Sequence, residues 1–343
     1  MISQKKYTKQ FVGLSFALIF LFCLNISFGS VSIPFTEIVE ILFGGNSSKT
    51  SWDLIVVNFR LPKAITAILV GSGLSISGLL MQTLFRNPLA GPFVLGISSG
   101  ASLGVALLIL GSSIFGGLFA SLALSSWAIA VASSLGAALV LFAVLLAANK
   151  VRNTMSILII GLMFGTVSAA IISVLTYFSS AEQIQQYIFW GFGSLGNLSW
   201  NEVLVFFIIF IIGILALIQV VKPLNTFLLG ENYAKSLGIN IRKSRNIILL
   251  VTSLLTGVIT AFAGPIAFIG LAVPHITKLL FTTSNHKVLI PAVALLGAII
   301  LLVCDLIAQV PMSEFTLPIN AVTSLFGAPV VIWLLIRKKK VYV

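Results

Sequence analysis

Charge is what this sequence has least of. Only 8% of its 343 residues are charged, against about 25% in a soluble domain. So few ionic groups cannot cover the water-facing surface of a chain this long, which excludes a soluble globular fold and a disordered chain. Cysteine is nearly missing too. Cys23 and Cys304 both sit in apolar runs, so a secreted disulfide scaffold is excluded and both read as small buried hydrophobes. The two histidines, His275 and His286, have no cluster of Cys, His or acid around them, and no metal site is expected. The apolar runs are continuous rather than alternating, which disfavours an outer-membrane barrel.

What is present is hydrophobic: 59% of the residues, with a mean hydropathy of +1.15. A membrane-spanning helix takes about 20 apolar residues, so ten of them would use roughly 200, about the number available. Apolar runs place helices at 11–28, 60–82, 92–110, 122–148, 155–178, 202–221, 246–263, 266–281, 288–309 and 319–336. The first run follows Lys5, Lys6 and Lys9 and is longer than a signal-peptide core, so it reads as a membrane helix and not as a cleaved leader. Leu21 and Phe22 before Cys23 lack the small residue of a lipoprotein site. Between the seventh and eighth runs, Gly264-Pro265 is the expected breaker.

The charges orient these helices. With the N-terminus inside and ten crossings, the inner segments hold all of the 20 basic residues except Lys49, Arg60 and Lys63. Glu37, Glu40, Asp53, Glu182, Glu202 and Glu314 fall outside, and Glu231 inside. This is the positive-inside pattern, with both termini cytoplasmic. The net charge of +12 therefore needs no nucleic-acid partner.

Between the helices, Phe35, Ile38, Val39 and Leu42 form an apolar stripe bounded by Pro34 and Gly44-Gly45, a short interfacial helix in the outer segment 29–59. Trp190 and Trp200 in the outer segment 180–200 suit the membrane interface. The inner loop 222–246 carries five basic residues and is polar enough to meet another protein. Gly96, Gly100 and Gly104, and Gly161 with Gly165, are spaced for close helix packing. Asp305 is the one acid inside a run and lies near its outer end, as an interfacial carboxylate would.

No catalytic constellation of acids, bases, nucleophiles or metal ligands is visible. Gly230 with Ala234-Lys235-Ser236 lacks the second glycine and the spacing of a phosphate loop. Transport remains, and a basic inner loop with glycine-packed helices suits a pathway powered by a partner.

Several motifs now carry a resemblance. Arg60-Leu-Pro-Lys63, Gly71-Ser-Gly-Leu-Ser-Ile-Ser-Gly78, Gln82 through Ala90 and Leu95-Gly-Ile-Ser-Ser-Gly100 stand in the first third. Leu229 through Gly238, Gly264 through Gly270, Val273-Pro-His275 and Gly327-Ala-Pro329 follow. Together they resemble the FecCD family of ABC-importer permeases for iron–siderophores, haem and vitamin B12, over nearly the whole chain. The resemblance implies an all-α membrane protein of about ten transmembrane helices with the BtuC-like permease fold, a single polytopic domain over 1–343.

It also implies partners: a second permease subunit, identical or paralogous, two ATPase subunits below, an extracytoplasmic substrate-binding protein above, and the lipid of a bacterial inner membrane. The chain itself would be no enzyme and hold no cofactor, since ATP and magnesium belong to the ATPase.

Residue by residue, Arg60 and Lys63 match the cations that dock the binding protein's carboxylates, although snorkelling of both to the interface is an alternative. Lys63 stands where the family has arginine, which loses the planar fork, and Gln309 stands where a further basic residue is common. Asn87, Leu89, Thr154 and Met155 match the cytoplasmic gate, with Asn87-Pro88 also readable as a simple turn. Gly230, Glu231, Ala234, Lys235 and Gly238 match the loop that couples to the ATPase, within 222–246; Glu231 and Lys235 could instead pair with each other. The function implied is ATP-driven import of iron–siderophore complexes, or of haem or cobalamin, by alternating access. The alternative from the residues alone is an ion-coupled secondary transporter using Asp305.

Overall fold

A computed structural model describes residues 6–45, 47–112, 125–151, 154–196, 198–309 and 316–336, and among these all regular structure is helical. The first helices are α1 (Thr8–Ser27), α2 (Phe35–Leu42), α3 (Thr50–Ile55) and α4 (Leu61–Phe85). Next come α5 (Ile97–Ile109), α6 (Ser126–Lys150), α7 (Thr154–Tyr177), α8 (Ala181–Gly191) and α9 (Trp200–Ile218). Two short helices follow, α10 (Val221–Phe227) and α11 (Glu231–Ser236). The last four are α12 (Ile241–Ala263), α13 (Ile269–Phe281), α14 (His286–Ala308) and α15 (Ile319–Ile336).

Among the described residues, 7 helical segments are long and apolar enough to cross a membrane, and three shorter apolar helices, Ile97–Ile109, Ile269–Phe281 and Ile319–Trp333, accompany them. Each of the ten runs expected from hydropathy holds one of these. The expectation of full-length spans fails for α5 and α13. A helix of 13 residues rises only about 20 Å, less than the roughly 30 Å of a hydrocarbon core. Irregular backbone precedes both: a 3-10 turn at Pro92–Leu95 before α5, and residues 264–268 before α13. Such backbone is tolerated at membrane depth where protein covers it: Pro92, Val94 and Leu95 are buried, as is Gly264, and residues 265–268 are half-buried. The break falls at Gly264-Pro265 as expected, with Gly264 at φ +74 and Phe268 at φ +65.

The second span is longer than its apolar run. Helical backbone continues from Thr50 to Phe85 through a π-turn at Val56–Arg60. Pro62 explains the turn: its ring clashes with the carbonyl four residues back, and widening the helix just before it relieves the clash. From Ala64 onward α4 is the buried centre of the fold. It lies against α14 so closely that a Cβ on Gly71 would come 2.3 Å from the Gly297 carbonyl oxygen. The glycine series read from sequence does the same for α5 and α6, where a Cβ on Gly100 would meet the Gly136 carbonyl at 2.6 Å.

Around this centre, the outer faces of α1, α6, α7 and α9 expose Phe16, Leu139, Val167 and Ile212, apolar surface that lipid would cover. Two larger apolar clusters divide the interior by height. One joins Tyr7, Phe85, Phe227, Phe281 and Val288; the other joins Ile26, Ile38, Val56, Cys304 and Ile319.

Two sequence readings need correction, and one outer segment gains a helix. The stripe on α2 is rotated: Ile38 and Ile41 are buried, while Phe35 and Leu42 are exposed, because Ile38 and Ile41 join the cluster containing Ile26. Cys304 is buried but Cys23 is exposed on α1. Segment 180–200 contains helix α8, started by a capping box in which Ser180 and Gln183 satisfy each other's backbone N–H.

Candidate functional sites at the two ends of the bundle

At the end where α1 finishes, polar side chains from α1, α4 and the end of α14 converge on Asp305. Lys63 Nζ lies 3.0 Å from Asp305 Oδ1. Asn25 Nδ2 donates to Oδ2 at 2.9 Å and Gln309 Nε2 to the same oxygen at 2.7 Å. The carboxylate side chain is 3% exposed and that of Lys63 21%. This is no interfacial carboxylate lying in water: the acid is buried, and its charge is matched by one cation and two amides. A buried charge requires such partners.

Arg60 sits one turn before Lys63. Its guanidinium donates through Nη1 to the carbonyls of Ile26 and Ser27, both at 2.9 Å, and through Nη2 to that of Val31. Those carbonyls belong to the last turn of α1 and the chain after it, which have no helical partner of their own. Arg60 is 7% exposed, and a Cβ on Gly29 would come 2.8 Å from its Nη2. The two cations thus lie on one rim as the sequence suggests, but both are engaged within the chain. A cavity of about 290 Å³ opens between them, lined among others by Asn25, Arg60, Lys63 and Gln309.

At the opposite end lie the residues matched to the gate and the coupling loop. Asn87 makes a turn after α4: its Oδ1 accepts from the Leu89 N–H at 2.9 Å, and the Pro88 carbonyl meets His275 Nε2 at 2.7 Å. Leu89 is exposed. Thr154 opens α7, but its side chain lies outside the described residues. Met155 faces a cavity of about 640 Å³ shared with Arg86, Phe227, Gly230, Glu231 and Tyr233. One gate position and two coupling positions therefore meet across one space, whereas Asn87 and Leu89 do not line it.

The loop 222–246 holds α10, α11 and the start of α12. Gly230 starts α11 at φ +117 and Gly238 follows it at φ +79, conformations that a Cβ disfavours. Ala234 is fully buried, so it packs inward and cannot itself touch a partner. Lys235 is exposed. Of the five basic residues, Arg245 is also turned inward, donating to the Ala148 carbonyl at 2.7 Å. Sequence reasoning missed the apolar members of this surface. Leu229, Tyr233 and Leu237 are 66%, 50% and 56% exposed, and large apolar side chains in a polar, basic loop were the signal available.

Among the described residues, the long apolar helices with a basic loop at one end fit a polytopic membrane permease. The chain belongs to the FecCD transport family, whose profile matches residues 17–337. It is 34% identical over 340 residues to the vitamin B12 import system permease protein BtuC of Klebsiella pneumoniae, covering 98% of this chain and 96% of that one. The protein of the same name from Salmonella typhi is 36% identical over 296 residues, covering 84% and 85%. A solved chain described as an inward-facing conformation of a metal-chelate type ABC transporter superposes with a TM-score of 0.83 at 28% identity, over 97% of this chain and 100% of that one. The chain is accordingly an ABC-importer permease subunit with the fold read from its sequence. The relatives are named for vitamin B12, so the preference for an iron–siderophore cargo finds no support among them.

Proposed function

We propose that this chain is the membrane subunit of an ATP-driven importer of a bulky metal chelate, working by alternating access between two outward and inward states. The observation that carries the reading is the division of the molecule's two ends. One end is basic and presents Leu229, Tyr233 and Leu237 on and beside α11, an apolar patch suited to a groove on an ATPase subunit. The other holds Arg60 and Lys63 beside a cavity; Lys63, 21% exposed, is the cation placed to meet the acidic lobes of a binding protein, with Arg60 bracing the chain beside it. Under the positive-inside rule the basic end is cytoplasmic, and both termini then lie on the cytoplasmic side of a bacterial inner membrane.

In this reading, loop 222–246 is the coupling loop, Asn87, Leu89, Thr154 and Met155 form the inner gate, and a second permease subunit completes the pathway. The two ATPase subunits bind ATP and magnesium. The names of the relatives favour cobalamin over the iron–siderophore that family frequency suggests. An ion-coupled mechanism through Asp305 has less to stand on, since that carboxylate is already matched by Lys63, Asn25 and Gln309.

Affinity purification from native membranes tests the assembly: an ATPase should co-purify in stoichiometric amount. Proteoliposomes then test the cargo with cyanocobalamin, a ferric hydroxamate and haemin. Uptake without ATP, driven by an ion gradient, would overturn the proposal.

A further inference from the structure

The last turn of α4 grips α10 at two separate points. Arg86 caps α4 in the left-handed conformation, φ 48, which side chains with a Cβ seldom adopt. From there its guanidinium reaches the carbonyl of Phe227, the last residue of α10, through Nε at 2.9 Å and Nη2 at 2.6 Å. A cation on a C-terminal helix carbonyl is a charge-assisted contact. Gly230 leaves room for it, since a Cβ there would come 3.2 Å from Arg86 Nη2.

The second grip runs through His286, 1% exposed at the start of α14. Its Nε2 lies 2.8 Å from Thr83 Oγ1 on α4, and its Nδ1 lies 2.8 Å from Asn225 Oδ1 on α10. Asn225 Oδ1 can only accept, so Nδ1 carries the proton and Nε2 accepts from the Thr83 hydroxyl, whose single proton is shared with the Leu79 carbonyl 2.9 Å away. The backbone N–H of His286 donates to the same Asn225 oxygen at 2.8 Å.

Directly after Arg86 comes the Asn87–Ala90 turn, which His275 holds through the Pro88 carbonyl. The candidate gate loop and the candidate coupling helices are therefore joined by defined hydrogen bonds. Side-chain packing alone would let α10 slide against α4; a two-donor clamp with a second tie one turn earlier would not.

We infer that Arg86 is a positioning residue for transport: its clamp on the Phe227 carbonyl, backed by the Thr83–His286–Asn225 relay, makes α10 and the end of α4 move as one piece. A displacement of α11 by the ATPase then reaches the Asn87–Ala90 turn directly. The inference rests on the proposed ATP-driven function and adds the part that carries the motion.

The test uses the complete importer purified with its ATPase and binding protein and reconstituted in liposomes. Cyanocobalamin, a ferric hydroxamate and haemin are the probes, and the readout is molecules imported per ATP hydrolysed. Arg86→Ala should lower that ratio about tenfold while hydrolysis stays within twofold of the parent. Arg86→Lys, with a charge but no fork, should recover part of the loss. Thr83→Val keeps the side-chain shape and removes the relay, together with the hydroxyl's bond to the Leu79 carbonyl inside α4, and should lower the ratio about threefold.

An unchanged ratio in Arg86→Ala overturns the inference, as does an equal fall in import and hydrolysis, which a merely structural residue would give. If Arg86→Ala does not assemble, an unchanged ratio in Thr83→Val overturns it instead. A parent complex that hydrolyses ATP but imports none of the probes in an ATP-dependent way overturns the functional reading, and the inference with it.

Discussion

Removing either partner of the Lys63–Asp305 pair should cost unequal amounts, and the inequality follows from where each charge is left. Lys63→Met strips the only cation within 4.0 Å of Asp305 among the described residues. The carboxylate remains 3% exposed with two amide donors, a buried and uncompensated charge. Breaking a buried pair in this way costs about 3–5 kcal/mol, and the amides of Asn25 and Gln309 should hold the loss near the lower figure. Asp305→Asn leaves the cation instead, and Lys63 is already 21% exposed on a flexible stem that can turn to water. That loss should be about 1.5 kcal/mol, the low end of the range for hydrogen bonds to a charged group. Replacing both, Lys63→Met with Asp305→Leu, removes the stranded charge and should recover part of the larger loss. Thermal unfolding of the purified permease in detergent, followed by fluorescence-detected size exclusion, ranks the variants. Equal losses in the two single variants, or a double variant worse than both combined, would refute the argument.

Further outcomes are expected at other positions. Arg60→Ala frees the carbonyls of Ile26, Ser27 and Val31 and should raise hydrogen exchange across residues 26–33 while leaving that of α12 unchanged. Lys63→Arg keeps the cation beside Asp305 and adds the planar fork; it should tighten association with the binding protein, more at low salt than at high, as measured by surface binding. Gly297→Val puts side-chain atoms where the Gly71 carbonyl stands, 2.3 Å from the Cβ, and should abolish a monodisperse elution peak. Gly238→Leu places a branched side chain at φ +79, a strain of about 1–2 kcal/mol; import per ATP should fall with membrane insertion intact.

Hydropathy and charge were enough to read the helical class, the ten apolar segments and the break at Gly264-Pro265. These depend on composition along the chain: a bilayer demands long apolar runs, and a membrane potential and insertion machinery sort basic loops to one side. Motif order was enough to reach the family. Short-range signals are legible as well, including the Ser180–Gln183 capping box that marks α8.

What only the tertiary structure decided is where charges and irregular backbone go. Nothing local says that Arg60 turns back onto α1, that Asp305 is buried against Lys63 from another helix, or that Ala234 faces inward while Tyr233 faces out. Partners separated by 280 residues, as Asn25 and Asp305 are, leave no periodic trace. The short length of α5 and α13 was hidden for the same reason, because hydropathy records that a segment is buried and not whether lipid or protein buries it. In the same way Arg86 reads as one more inner-loop cation until α10 folds beneath it and the Phe227 carbonyl gives it a target. Composition follows the solvent around a chain, whereas pairing follows the contacts that chain makes with itself, and those exist only once the helices are packed.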